Sequence, residues 1–485
     1  MEALALTGGD LAATTGGRIE QGDPQRRIER LSIDSRTIAD GDFFVALRGE
    51  RYDGHRFVAD ALERGAIGVM VEEVQAGLDS SMRSIVAPGQ SEGEAGTVRP
   101  APLVVQVADT TRALQNVARD IRRRSAARVV AITGSAGKTT TKEVAAEFLA
   151  ARYRVFRNQG NLNNHIGLPL SLFELRTKPD VAVVELGMNH PGEIRTLVGI
   201  AEPDVRVWTN VGDAHLGFFA SADAIADAKA EILEQAGPND TLIANANDPR
   251  ITARIGAFAG RVMTFGIEVD ADVQAVDVTT RGLEGTGARV RTPAGELRID
   301  TPLLGLGNLA NVLAATAVAV HFGVPLAEIA RRAAALKPPY HRGELLRLPG
   351  GITLIDDSYN SSPSALKRAL ETVAAATGSA RKAAVLGEML ELGAHSERLH
   401  EECGRAAAAA GLDFLITVGG APAQAMGRAA VSAGMPSHAV LHAGTSDEAA
   451  ELALARLRPG DLVLVKGSRG IGTDRVVERL KAEFA

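Results

Sequence analysis

The run Val129-Val130-Ala131-Ile132-Thr133-Gly134-Ser135-Ala136-Gly137-Lys138-Thr139-Thr140 carries the clearest chemistry in the chain. A β-branched apolar stretch leads into a Gly-rich turn, then Lys-Thr, then a pattern with Val144 and Phe148 on one helical face. Glycines let the N–H groups of such a turn converge on phosphate oxygens, and a helix N-terminus adds favourable partial charge. Lys138 is placed to reach β- and γ-phosphates, and the Thr139 hydroxyl to bind Mg²⁺. Gly134, Ser135, Ala136, Gly137, Lys138, Thr139 and Thr140 are the expected cradle. The loop is shorter than the general phosphate-loop pattern, which would place another Gly at Ile132. The competing reading is a plain strand–helix turn with a surface lysine.

Other polar residues follow apolar runs. Val181-Ala182-Val183-Val184 ends in Glu185, and Val205 to Asn210 runs into Gly212-Asp213-Ala214-His215. In open α/β sheets ligands bind beyond the carboxyl ends of the strands. Glu185 and Thr139 suit a Mg²⁺ ion, which prefers oxygen ligands. His215 could serve a second ion or orient a carboxylate. Either residue taken alone reads as a turn or cap residue, and their convergence at the same sheet edge favours the functional reading. Lys229 stands four residues after Ile225 and three before Ile232, on the apolar stripe of its helix. It is either a snorkelling lysine or a buried, neutral one open to chemical modification. Asn308 and Asn311, three apart, either face a nucleobase or substrate carboxylate, or Asn308 simply caps a helix. Arg342 could swing onto a transferring phosphoryl group or be a surface residue. Asp356-Asp357-Ser358-Tyr359-Asn360 puts acidic and polar groups at a further strand end, where a ribose or an ammonium group is an equally plausible partner.

The elements that must position these residues read as follows. The first hundred residues contain short strands at Ile28–Ile33, Phe43–Leu47, Gly68–Glu72 and Leu103–Val107, a helix around Arg56–Arg64, and a Ser/Gly/Pro/Glu-rich loop from Asp79 to Pro102. The middle alternates strands (128–133, 181–186, 205–210, 241–244) with helices, the pattern of a mostly parallel sheet. Residues 270–302 break it with shorter alternating runs, an antiparallel excursion, and a helix follows at 308–321. Strands at 352–356, 383–386, 414–418, 439–442 and 462–465 form a second alternating set after a boundary near Gly323. The expected fold is α/β in three domains. A small mixed α/β domain spans 1–106, a central phosphate-loop domain with a parallel sheet spans 107–321, and a Rossmann-like α/β domain spans 322–485.

Composition narrows the function. Three domains agree with 485 residues. A formal net charge of −6 argues against a nucleic-acid partner, and aromatic residues at 4% argue against a stacking platform. The single cysteine, Cys403, cannot form an intrachain disulfide, which fits a reducing compartment. The first ten residues lack a basic secretory leader pattern, and the apolar stretch Leu309–Val320 is too short to span a bilayer. A cytoplasmic protein without membrane attachment is expected.

Together these residues resemble the Mur ligase family, ATP-dependent amide-forming enzymes of peptidoglycan precursor synthesis. The resemblance covers nearly the whole chain. It rests on Ser32-Ile33-Asp34-Ser35-Arg36, Thr133 to Lys142, Asn161 to Pro169, Glu185 to Glu193, Gly212 to Leu216, Asp356 to Asn360, Val385 to Gly393 and Val465-Lys466-Gly467-Ser468-Arg469. The shortened phosphate loop is the form this family uses. The resemblance implies that Ser35 and Arg36 belong to a UDP-sugar site and that Glu185 and His215 are magnesium positions. It implies a carbamylated Lys229 that helps hold the second of two Mg²⁺ ions. Asn308, Asn311, Arg342 and Asp357 would contact ATP, and Tyr359 and Asn360 would face an incoming dipeptide. Lys138, Glu185, His215, Lys229 and Arg342 would form the catalytic set. The implied partners are UDP-N-acetylmuramoyl-tripeptide and D-alanyl-D-alanine, acting on a monomer. The alternatives are a diamino-acid-adding ligase of the same family, a folylpolyglutamate-synthase-like ligase, and a non-catalytic nucleotide-binding regulator. The Asp-Asn-Pro-Arg signature of the diamino acid ligase is absent from the last domain. Asn247-Asp248-Pro249-Arg250 is similar but lies in the central one.

Overall fold

The computed structural model describes residues 3–49, 52–73, 100–213 and 216–484. Most of the loop expected over 79–102, and His215 itself, lie outside them. The chain divides into two compact units. One comprises Met1–Val129, Asn158–Leu186 and Thr196–Pro203, and the other Val130–Arg157, Gly187–Arg195 and Asp204–Ala485.

Three sheets carry the architecture. In the first unit, strands Arg30–Ser32, Asp42–Val45, Gly68–Val71 and Leu103–Gln106 pair in parallel in that order, and Arg18–Gln21 adds antiparallel to the last. The strand Arg18–Gln21 and the helix Gly8–Thr15 before it lack the apolar run that marks the other elements, so sequence reading passes over them. Helix Thr110–Arg124 starts at Asp109, whose side chain accepts the Arg112 N–H at 2.9 Å. It buries Ala113, Leu114, Val117, Ala118 and Ile121 on one face.

The second sheet has nine strands. Arg128–Thr133 pairs in parallel with Val205–Trp208, which pairs with Thr241–Asn245, then Arg261–Ile267 and Val273–Thr280. The expected antiparallel excursion is present: Val273–Thr280, Thr286–Thr292 and Gly295–Thr301 form successive antiparallel pairs. The helix expected from Asn308 begins earlier, at Gly305, and runs to His321, buried on every face from Asn311 to Ala319.

The third sheet has the order Glu344–Arg347, Thr353–Asp357, Asp461–Lys466, Arg381–Gly387, Phe414–Val418, Val440–Ala443, parallel except for the first strand. Successive residues of its strands enter different cores. Ala383, Val385, Ile416, Val463 and Val465 pack on one side, and Ala384, Leu386, Leu415, Leu462 and Leu464 on the other. Burial of both faces explains why these strands are unbroken apolar runs rather than alternating ones. The antiparallel strand Glu344–Arg347 is only half-buried, so its pattern is too mixed to stand out. Among the described residues no helix is long and apolar enough to cross a membrane.

Candidate active site

Strand register builds the phosphate loop. Thr133 lies opposite Trp208, so Gly134 follows one strand just where Thr209 and Asn210 follow the next. A Cβ on Gly134 would come within 1.9 Å of Thr209 Oγ1, and this residue has φ +155°. Asn210 then closes the loop from the side. Its Oδ1 accepts the Ala136 N–H at 2.8 Å, its Nδ2 donates to Ala136 O at 2.9 Å, and its own carbonyl accepts the Ser135 N–H. Ser135 Oγ accepts the Gly212 N–H at 2.8 Å. Gly137 turns the chain into helix Lys138–Leu149 with φ +79°, and a Cβ there would meet Asn311 Oδ1 at 2.2 Å. Lys138 Nζ donates to Gly134 O at 2.9 Å, so its ammonium lies over the loop. Thr139 follows it in the first helical turn, and Thr140 is buried.

Asn311 reaches this loop from another element. It is buried, and its Oδ1 accepts from the Thr141 hydroxyl at 3.3 Å while its Nδ2 donates to Asn308 Oδ1 at 3.2 Å. Asn308 is not the helix cap. Leu304 holds that position, and Asn308 Nδ2 bonds back to its carbonyl at 2.9 Å. The two asparagines do share a face, and that face abuts the phosphate loop.

Glu185 ends its strand and is buried. Its Oε1 accepts from Asn163 Nδ2 at 2.8 Å and its backbone N–H donates to Asn158 Oδ1. A fixed, buried carboxylate of this kind is an oxygen donor of the type Mg²⁺ takes. Lys229 lies in helix Ala222–Ala230, capped by Ser221, and is 1% exposed. It therefore does not snorkel. Glu231, just beyond, accepts the N–H groups of Gly192 and Arg195 and so holds the turn at His190-Pro191-Gly192. Cys403 is buried, and its thiol is pushed up to about 12 by burial, which leaves it no nucleophilic part.

In the first unit, Ser35 is buried at the start of a short 3₁₀ turn. Arg36 is exposed and forked onto Asp34 at 2.8 and 2.6 Å. The hydrogen bond from that guanidinium takes the Asp34 carboxyl to about 2.

At the end of strand Thr353–Asp357 the chain gathers a second cluster. Asp357 Oδ2 accepts from Lys466 Nζ at 2.6 Å, and the same ammonium donates to Asn360 O at 2.9 Å. Asn360 turns its own Oδ1 onto the Ser361 N–H. Arg342 packs against Tyr359, its Cζ 4.0 Å from the ring centroid, so it is not a free surface residue. His341 Nδ1 lies 2.5 Å from Asp356 Oδ2, both side chains buried, and Asp356 Oδ1 accepts from the Ser358 N–H and hydroxyl. Sequence reasoning missed Asn210, Asn163, His341 and Lys466 as site residues. Lys466 had a signal, since it ends a strand beside the one ending at Asp357, while Asn210 was visible only as the end of an apolar run.

Three family models match: the Mur ligase middle domain over residues 132–319, the Mur ligase glutamate ligase domain over 341–469, and the Mur ligase family catalytic domain over 27–122. The chain belongs to the Mur ligase family. Within that family it is 33% identical over 460 residues to the UDP-N-acetylmuramoyl-tripeptide–D-alanyl-D-alanine ligase of Bacillus subtilis strain 168, covering 94% of each chain. It is similar to a crystal structure of MurF from Acinetobacter baumannii, with TM-score 0.85, 30% identity, and 99% and 100% of the two chains covered. It is also similar to MurF ligase from Thermotoga maritima in complex with ADP, with TM-score 0.78, 29% identity, and 94% and 98% covered. The three-domain α/β architecture of the Mur ligase family is thereby established for this chain.

Proposed function

We infer that this protein is an ATP-dependent ligase that joins D-alanyl-D-alanine to UDP-N-acetylmuramoyl-tripeptide in peptidoglycan precursor synthesis. The observation that carries this reading is the closed phosphate loop, pinned by Asn210 on one side and abutted by Asn311 on the other, in a chain that matches ligases of this name over nearly its whole length. Residues 1–106 take the UDP-sugar through the region of Ser35 and Arg36. Residues 107–321 take ATP, and residues 322–485 take the dipeptide near Tyr359 and Asn360. The protein works as a monomer in the cytoplasm.

The reaction follows from charge placement. The terminal carboxylate of the tripeptide attacks the γ-phosphorus of ATP and ADP leaves, giving an acyl phosphate. The dipeptide amine attacks the acyl carbon, and the tetrahedral adduct expels phosphate and forms the amide. Lys138, placed over the loop, offsets charge on the transferring group, and Arg342 is the arginine of the last domain assigned to the same charge. Backbone N–H groups of the turn at residues 134–140 hold the phosphates without reorganising, other than those of Ser135 and Ala136, which Asn210 engages. Glu185, Thr139, His215 and Lys229 are the residues that would hold two Mg²⁺ ions, which supply further neutralisation of phosphate charge when bound. Lys229 suits carbamylation. A buried lysine with a carboxylate added to it changes from a costly cation to a metal-binding anion. Lys229→Ala should lose most activity and regain part of it with a small added carboxylate. Full activity without any addition would remove the carbamate.

The segment Asn247-Asp248-Pro249-Arg250, the feature nearest to a diamino acid ligase signature, has a local role. Asp248 caps helix Pro249–Thr252 and accepts the Val211 N–H at 2.7 Å. The test of the reading is phosphate release from ATP and Mg²⁺ with the UDP-muramoyl tripeptide, with and without D-alanyl-D-alanine. Release that needs both, with a pentapeptide product by mass, is expected. Release with a dipeptide precursor and a diamino acid instead would transfer the assignment to the diamino acid branch.

A further inference from the structure

Several arginines of the second unit rest on carboxylates, such as Arg195 on Glu234, Arg206 on Asp240 and Arg381 on Asp461. Arg342 and Arg469 are different. Among the described residues neither has a carboxylate within ion-pair distance, and both rest on Tyr359. Arg342 Cζ lies 4.0 Å and Arg469 Cζ 5.3 Å from its ring centroid, and Arg469 Nη1 donates to the phenol oxygen at 3.1 Å. The main chain that carries the ring is held in turn, because the Tyr359 N–H donates to His341 O and His341 is locked to Asp356. Lys466, the neighbouring cation, is already engaged by Asp357 and Asn360. In the same loop Ser361 Oγ is buried with no hydrogen-bond partner among the described residues.

Two guanidinium groups on one ring lie within about one Debye length, roughly 10 Å at 0.1 M salt, so their repulsion is poorly screened until an anion arrives. A planar guanidinium fork matches a carboxylate, and an aromatic face holds that plane in place. A dipeptide has its attacking amine at one end and its carboxylate at the other, about 7 Å apart when extended. We propose that Arg469, oriented by Tyr359, binds the C-terminal carboxylate of the incoming D-alanyl-D-alanine, while Arg342 serves the phosphoryl end. The inference rests on the ligase reading above and adds the subsite that recognises the dipeptide as an acid.

The test compares D-alanyl-D-alanine with its C-terminal carboxamide, using the full chain, ATP, Mg²⁺ and the UDP-muramoyl tripeptide. The wild type should favour the acid by about 100-fold in kcat/KM, the scale of a lost charged hydrogen-bond pair. Arg469→Gln should lower kcat/KM for the acid by about 100-fold, leave the amide within a few-fold of wild type, and leave KM for ATP within a few-fold. Arg469→Lys should recover part of the preference. An ADP-induced thermal shift equal to that of the wild type checks that the variants are folded. An acid-to-amide ratio in Arg469→Gln equal to that of the wild type overturns the subsite and leaves the ligase reading intact. A wild type that turns over neither dipeptide overturns both.

Discussion

The protein gathers polar chemistry at the ends of parallel strands in two mixed sheets, by opposite means. After strand Arg128–Thr133 the site is made of backbone. Gly134 and Gly137 bring the chain against Thr209 and Asn311, and Asn210 ties both polar groups of Ala136. After strand Thr353–Asp357 the site is made of side chains: Lys466 on Asp357, His341 on Asp356, and two arginines on Tyr359. A backbone cradle offers the same N–H groups to any nucleoside triphosphate. A side-chain cluster can be adjusted residue by residue, which suits the substrate that distinguishes one ligase of the family from another.

The comparison breaks most sharply at Gly137. Gly137→Ala has to move Asn311 and adopt a left-handed backbone at about 3 kcal/mol, so ADP affinity by calorimetry should fall roughly 100-fold. Gly256→Ala, where a Cβ meets nothing within 4 Å, should stay within about two-fold. Next is Lys466→Met, which strands Asp357 and the Asn360 carbonyl. Because Asp357 is partly exposed, the cost should be about 2 kcal/mol in urea unfolding, less than for a fully buried pair. Adding Asp357→Asn should recover part of it. Asn210→Ala removes two hydrogen bonds from the loop and should weaken ADP binding about 10-fold, with Asn210→Asp in between because it keeps the acceptor.

The smallest effect is one of pH. His400 is buried, accepts the Met389 N–H on Nε2 at 2.8 Å and donates from Nδ1 to Ser396 O. Burial holds it below its ordinary value of 6.5. The unfolded chain therefore binds a proton that the folded chain refuses between the lowered value and 6.5. Stability falls as pH drops through that window and is fully present above it. His400→Gln should flatten that part of the urea-midpoint profile.

Legibility followed the same division. The phosphate loop could be read directly, because a Gly-rich turn between a strand and a helix states its own geometry. The buried strands of the third sheet could also be read, since both faces are covered and the apolar runs are unbroken. Lys229 stood out because a charge on an apolar stripe is a conflict that needs a cause. Asn210 and His341 did not stand out. Their partners, Ala136 and Asp356, are 74 and 15 residues away, and only strand register and the turn before Glu344 bring them together. Of the two roles left open for Asn308, capping falls away because the helix begins at Gly305, where the glycine-rich segment hides the first turn.

The most direct measurement uses UDP-muramoyl tripeptide labelled with ¹⁸O in its terminal carboxylate, with ATP, Mg²⁺ and D-alanyl-D-alanine. An acyl phosphate leaves one carboxylate oxygen on the departing phosphate and the other in the amide. The account predicts pentapeptide together with phosphate carrying a single ¹⁸O. Pentapeptide with unlabelled phosphate, or ATP consumed without pentapeptide, would contradict it.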